Sequence, residues 1–347
     1  MGAAGPLVGI VINNHDYERF LPAAIESALA QDHPRVEVVV VDDGSTDGSR
    51  EVIRGYGERV RAVLKPNGGQ ASAFNAGFEA GAGELVIFLD ADDTLLPGAA
   101  SAAAAAWRPG VAKVQFPLEV VDADGEPLGA RVPAERMRSG DLRGLVLEAG
   151  RYPWPPTTGN AFARETLERL LPMPEREWRI LADGYLQLLS AFCGEVVSLD
   201  RPLGRYREHG GNRWTLPDGE VDVERLREHL RFDALKERTL RGRLPELGGG
   251  PLPEGWPLRS TRHVQARLAS LRAEPDGHPY ESDRAWRLAR QGMRAAGSTP
   301  FHGPRRRLFF MLWFAAVAVA PRGLALRLIR LGFQGARRAK ALQRLVR

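Results

Sequence analysis

The chain has 347 residues, 44% of them apolar, and one cysteine, Cys193. That length and apolar fraction accommodate one large or two ordinary globular domains, and a lone cysteine excludes an intramolecular disulfide and suits a reducing compartment. The net charge of +5 is unevenly distributed: residues 301–347 carry ten Arg, one Lys and no acid, which leaves 37 basic against 43 acidic residues in the first 300. A mildly acidic body argues against nucleic acid as a partner. The first nine residues lack the basic start and long apolar core of a signal peptide, and Pro6 stands where a myristoylation signal carries Ser or Thr. The expected location is cytoplasmic.

Residues 7–12 read as a buried strand, closed by Asn13-Asn14-His15-Asp16, and residues 20–30 as an amphipathic helix. A second apolar strand, 36–41, ends in Asp42-Asp43-Gly44-Ser45. A helix over 46–54 and a strand over 60–64 follow, then the Gly-rich turn 65–70 and a helix over 71–80. The fourth strand, 84–89, runs into Asp90, Asp92 and Asp93, and an Ala-rich helix spans 97–107. Strand and helix alternate with short connections, which predicts a parallel α/β sheet with polar residues at its carboxyl edge, where such sheets bind ligands.

After Trp107 the pattern changes. Residues 111–116 and 118–121 read as short strands with a turn at 122–125, followed by a Pro-rich loop over 151–160. Helices at 165–171 and 183–192 precede a strand at 195–199 and the polar loop 205–212. Charged amphipathic helices are predicted at 221–240, 261–271 and 281–296, the first two separated by a Gly/Pro-rich linker over 242–257. Residues 308–320 are uncharged and mostly apolar, and 324–347 repeat Leu, Ile and Phe at helical spacing against arginines. Such a tail either lies on an anionic membrane surface or packs on the rest of the chain with its arginines solvated. No stretch is long and apolar enough to span a bilayer.

Three carboxylates within four residues at a buried strand end need a cation or water, because unpaired buried charge is costly. A D-x-D there can hold a divalent metal. The other reading is an acidic turn, with Asp93 or Thr94 capping the next helix and Pro97 in its first turn.

The blocks VGIVINNHDYERFLPAAIESALAQ, VEVVVVDDGSTDGS and KPNGGQASAFNAGFEAGAGELVIFLDADDTLLP resemble, in order and spacing, the family 2 glycosyltransferases with the GT-A fold. The resemblance covers residues 8–97 and continues more weakly to about residue 212. It implies a Rossmann-like mixed sheet flanked by helices over residues 1–215, with a nucleotide-sugar half (1–107) and an acceptor half (108–215). A helical extension (216–300) and the basic tail (301–347) would follow. It implies inverting transfer of a sugar from a nucleotide-sugar, UDP-linked, to an acceptor hydroxyl that is lipid-linked or part of a polysaccharide. A catalytically inactive membrane-associated scaffold and a nucleotidyltransferase are the alternatives.

By the resemblance, Asn13 and Asp43 contact the nucleotide, with Asp42 the competing choice for the second position. Asn67, Gly69 and Asn75 belong to the Gly-rich block, and Gln70 is either a donor contact or part of a helix entry. Asp92 is the expected ligand of Mg²⁺ or Mn²⁺, with Asp90 on ribose or the metal shell and His209 completing that shell; Arg207 can pair with phosphate. Asp183 is the expected base, although Ala182 stands where relatives carry Glu, and a helix cap is its other reading. Tyr152, Trp154 and Trp178 are candidates for stacking on an acceptor sugar.

Overall fold

Three apolar runs form the centre of the principal sheet because each is buried on both faces. These are β1 (Val8–Asn14), β2 (Val36–Asp43) and, after α1 (Leu21–Leu29), α2 (Ser49–Gly55), β3 (Arg61–Lys65) and α3 (Gln70–Ala80), β4 (Leu85–Asp90). The computed structural model describes residues 5–209 and 222–333; Gly210, Gly211, Asn212 and the end of the tail from residue 334 lie outside them. The chain divides into two units. The first comprises Met1–Gly144, Tyr152–Arg213 and Leu247–Gly249, and the second Leu145–Arg151, Trp214–Glu246 and Gly250–Arg347.

In the first unit β1 pairs in parallel with both β2 and β4, so that Asn13 lies level with Asp90 and Asn14 with Asp42. α3 packs on this sheet through Phe74, stacked on Phe88 with ring centroids 4.2 Å apart. It also packs through Gly77, where a Cβ would collide with Val11 and crowd Val41. The chain continues through β5 (Thr94–Leu95), α4 (Ala99–Ala106), β6 (Val111–Gln115), β7 (Leu118–Val121) and β8 (Pro127–Val132); of α5 (Arg143–Ala149), residues from Leu145 on belong to the second unit. It closes with β9 (Asn160–Ala163), α6 (Arg164–Leu170), α7 (Ala182–Ser190), β10 (Glu195–Ser198) and β11 (Gly204–Arg207).

The seven-stranded sheet has the order β10-β6-β9-β4-β1-β2-β3, and β9 runs antiparallel to both β4 and β6. The sheet is therefore mixed, where strand–helix alternation alone predicts a parallel one. A smaller sheet, β5-β11-β7-β8, contains the expected hairpin around residues 122–125. The Ala-rich helix starts later than expected: Gly98, with φ +86°, is its N-cap. Asp93 does not cap it, because β5 intervenes.

The second unit is helical among its described residues: α8 (Val223–Arg243), α9 (Thr261–Ala273), α10 (Ala285–Ser298), α11 (Pro304–Val319) and α12 (Arg322–Phe333). Asp222 and Ser260 cap α8 and α9 by accepting from the backbone N–H three residues on. Leu230, Val264, Leu268, Leu288, Phe314 and Ile329 form its core. Trp313 buries its ring there and donates its Nε1–H to the Leu328 carbonyl at 2.6 Å. Among the described residues no helix is long and apolar enough to cross a membrane.

Candidate active site

The parallel strands β1, β2 and β4 end side by side, and their last residues are polar because the chain leaves the core there. Asn13 donates to Asp90 Oδ1 at 2.9 Å, and its own buried Oδ1 has no hydrogen-bond partner. Asp42 and Asp43 separate into different roles. Asp42 is fully buried and accepts from Asn14, the Ser45 backbone N–H and Arg50 Nε (2.7 Å). Burial alone would raise its pKa, but those hydrogen bonds outweigh burial and hold it below the usual range. Asp42 therefore anchors the turn. Asp43 accepts on Oδ1 from Lys65 Nζ (2.6 Å) and the Gly68 N–H (2.8 Å), and on Oδ2 from the Gly69 N–H (2.6 Å). It thus fixes the Gly-rich turn onto the tip of β2.

That turn enters α3 through Gly69, whose φ of +89° favours glycine and at which a Cβ would collide with Arg179. Arg179 straps across it: its carbonyl accepts the Gln70 N–H at 2.8 Å and its guanidinium donates to Asn67 Oδ1. Gln70 then reaches both ways. Its Nε2 lies 3.4 Å from Asp90 Oδ1, and its Oε1 accepts the Ala182 N–H at 2.9 Å. Asn75 is committed elsewhere, its amide bonding both the N–H and the carbonyl of Met173.

The three carboxylates beyond β4 are unequal. Burial, and then the charge of Asp92, push the Asp90 carboxyl up to about 7; the Asn13 amide opposes the rise and the charge of Asp183 adds to it. Asp92 Oδ2 lies 2.9 Å from His209 Nε2. The His209 ring in turn packs against Tyr17 and Phe20. Asp93 is buried, accepting from Thr158 Oγ1 (2.7 Å) and the Arg207 N–H (3.0 Å). Burial, followed by Asp92 and Asp90, holds its carboxyl well above the ordinary range. The phenols of Tyr17 and Tyr206 are raised first by burial and then by these same carboxylates, which puts both rings beside the cluster.

Asp183 stands in the first turn of α7, where a helix N-terminus favours negative charge. The N-cap position is held by Leu181 at φ +59°, so Asp183 does not cap the helix. Its influence on Asp90 brings the distant carboxylate into the same field. Three sequence expectations change. The Arg207 guanidinium donates to the carbonyls of Asp92 (2.8 Å) and Ala123 (3.1 Å) and lies over the Phe20 ring, so it clamps backbone instead of awaiting phosphate. Tyr152 and Trp178 are buried and cannot present a face to a sugar.

A residue absent from the sequence reading feels the charge of Asp183. Lys113, on β6, is fully buried, with Nζ 2.6 Å from Gln187 Oε1 and 3.0 Å from Asn160 Oδ1. Burial pushes its pKa well below the usual lysine range, while the charge of Asp183 pulls it back. Gln187 lies one turn after Asp183 on α7, so this polar network fastens the helix that carries Asp183. The available signal is the alternation Val111, Lys113, Gln115, which places two polar residues on one face of a short buried strand.

Among the described residues no three His, Cys, Asp or Glu side chains form a ready-made metal centre. The donor set nevertheless fits a hard cation in part. Asp90 and Asp92 share one field and His209 touches Asp92. Mg²⁺ and Mn²⁺ are commonly held by one or two carboxylates, with water and substrate phosphate filling the remaining positions.

Residues 9–134 match the family model Glycosyl transferase family 2. That segment, less than half of the chain, belongs to the family. An uncharacterized glycosyltransferase of Nostoc sp. is 39% identical over 211 residues, which is 59% of this chain and 66% of the relative. Chondroitin synthase of Pasteurella multocida is 42% identical over 97 residues, 27% of this chain and 10% of that protein. The chain thus spans less than two thirds of the length of either relative. The structure of S. aureus TarS residues 1–349, in complex with UDP-GlcNAc, superposes with a TM-score of 0.53 at 16% identity. That likeness covers 96% of this chain and 92% of that TarS fragment, and it shows a shared fold, GT-A.

Proposed function

We propose that the family 2 domain transfers a sugar from a UDP-linked donor to an acceptor hydroxyl, with inversion, in the assembly of a polysaccharide or lipid-linked glycan. The observation that carries this reading is the shared field of Asp90, Asp92 and Asp183, joined by Gln70 between Asp90 and the start of α7. Asp43 keeps part of its acceptor capacity beyond its three donors, and uracil presents one N–H between two carbonyls. The unpartnered Asn13 Oδ1 supplies a second acceptor at the neighbouring strand tip. The Gly68-Gly69 backbone lets the donor approach closely.

A divalent cation on Asp92, with Asp90 and His209 beside it, would supply charge neutralisation for the departing diphosphate. Asp183 takes the proton from the acceptor hydroxyl as that oxygen bonds to the anomeric carbon. The bond from this carbon to the diphosphate oxygen breaks, and its electron pair leaves with the nucleoside diphosphate.

The test is a screen of UDP-, GDP- and dTDP-sugars with Mn²⁺, read as released nucleoside diphosphate, alongside calorimetric donor binding. Wild-type protein should release UDP. Asp183→Asn should keep donor binding and lose roughly 10²-fold or more in turnover, whereas Asp92→Asn should lose metal-dependent binding itself. Undiminished turnover in both variants, release of no diphosphate from any donor, or release of pyrophosphate from a nucleoside triphosphate would each overturn the assignment.

A further inference from the structure

In the helical unit, α11 and α12 bury one face each and leave the other uncovered. Phe310, Trp313, Phe314 and Val317 point inward from α11, as do Ala325 and Ile329 from α12. The outer face of α11 carries Leu308, Met311, Leu312 and Val319, at positions that fall on one helical stripe, with Leu312 62% and Val319 84% exposed. Leu324 and Leu331, two turns apart, are likewise exposed on α12. Six of the nine large hydrophobic side chains exposed among the described residues thus fall within these two consecutive helices. Isolated exposed leucines need no explanation, but a concentrated stripe does.

The charge around the stripe is of one sign. Arg305, Arg327 and Arg330 are exposed at helical positions flanking the apolar ones, Arg306 lies over the Phe310 ring, Arg322 donates to the Ala273 carbonyl, and residues 301–347 contain no Asp or Glu. A second copy of this chain would bring arginine against arginine. The occupant that matches an apolar stripe bordered by arginines is a surface that is negatively charged outside and hydrocarbon within. At 16 residues α11 rises about 24 Å, short of a hydrocarbon core of about 30 Å, and its other face is packed, so it lies along the interface.

We propose that the outer face of α11 and α12 seats this protein on an anionic lipid bilayer, with Leu308, Leu312 and Val319 in the headgroup–acyl boundary and the arginines among the phosphates. The proposal does not depend on the catalytic reading, and its test has no activity readout.

The full-length protein is floated with vesicles of phosphatidylcholine alone and with vesicles containing roughly one-third phosphatidylglycerol. Wild-type protein should float with the anionic vesicles, stay behind with the neutral ones, and be released by high salt. Leu308→Ser/Leu312→Ser, at solvent-exposed positions, should keep the circular dichroism spectrum and melting point while losing flotation. Arg305→Gln/Arg327→Gln should weaken binding about fivefold per arginine removed. Equal binding to neutral vesicles, unchanged flotation of the folded serine variant, or no flotation of wild-type protein would each overturn it. So would a dimer in sedimentation that the serine variant dissolves, because the stripe would then be the interface between copies.

Discussion

Lys113 gives a quantitative test of the polar network that fastens α7. A neutral amine has two N–H groups, and two acceptors, Gln187 Oε1 and Asn160 Oδ1, lie at 2.6 and 3.0 Å. Burial makes the neutral form the favoured one, against the pull of Asp183. In the unfolded chain the same lysine stays protonated up to about pH 10.4. Between the depressed folded value and about 10.4 the unfolded state therefore binds one proton more, so stability rises with pH and is lost as pH falls. The slope contributed is about 1.4 kcal/mol per pH unit.

Raising the pH by one unit within that window should make urea unfolding of wild-type protein more costly by up to roughly that amount relative to Lys113→Met. The methionine variant strands the Asn160 and Gln187 oxygens at about 1–3 kcal/mol each. Its absolute stability is therefore not the diagnostic, whereas the difference in slope is, because groups common to both proteins cancel. Parallel slopes over that interval would refute the argument and place a charged ammonium in the folded core, held by the field of Asp183 and the flanking Tyr152 and Phe162 rings.

Gln70→Ala should leave donor affinity within a few fold while lowering turnover roughly 10–100-fold, since α7 loses its tether to Asp90 and Asp183 loses its placement; steady-state kinetics with separately measured donor binding distinguishes these effects. Gly69→Ala should destabilise by about 1–3 kcal/mol, through a positive φ and the collision with Arg179. The control Gly110→Ala, also at positive φ but with open space around its Cβ, should cost only about 1 kcal/mol in the same denaturation assay. His209→Ala should raise the Mn²⁺ concentration needed for half-maximal activity without abolishing turnover, an effect smaller than that of Asp92→Asn in a metal titration.

What the sequence discloses follows from how local each cause is. β1, β2 and β4 are legible because burial on both faces demands an unbroken apolar run, and their polar tips are legible because the run must end where the chain meets water. β9 is not: it has four residues, follows a Pro-rich loop, and exists as a strand because β4 and β6 offer it edges on both sides. β11 is hidden likewise, since Gly204–Arg207 reads as a polar loop until β7 and β5 pair with it.

The same distinction runs through the site. Asp92 belongs to a contiguous motif, and its special character is visible in four residues of sequence. Arg207 is visible as a charge, but its destination is set by carbonyls at positions 92, 122 and 123, which only the folded chain brings to one place. Asp183 shows how far a local motif reaches. Its helix start can be read from the chain, yet its membership of the site depends on Gln70, 112 positions from Ala182, accepting that residue's N–H. A glutamine after two glycines looks locally like nothing more than the entry to a helix. Folded, it spans the distance between the Asp90 carboxylate and the helix that carries Asp183. A substitution there is thus expected to change turnover without touching any residue of the D-x-D motif.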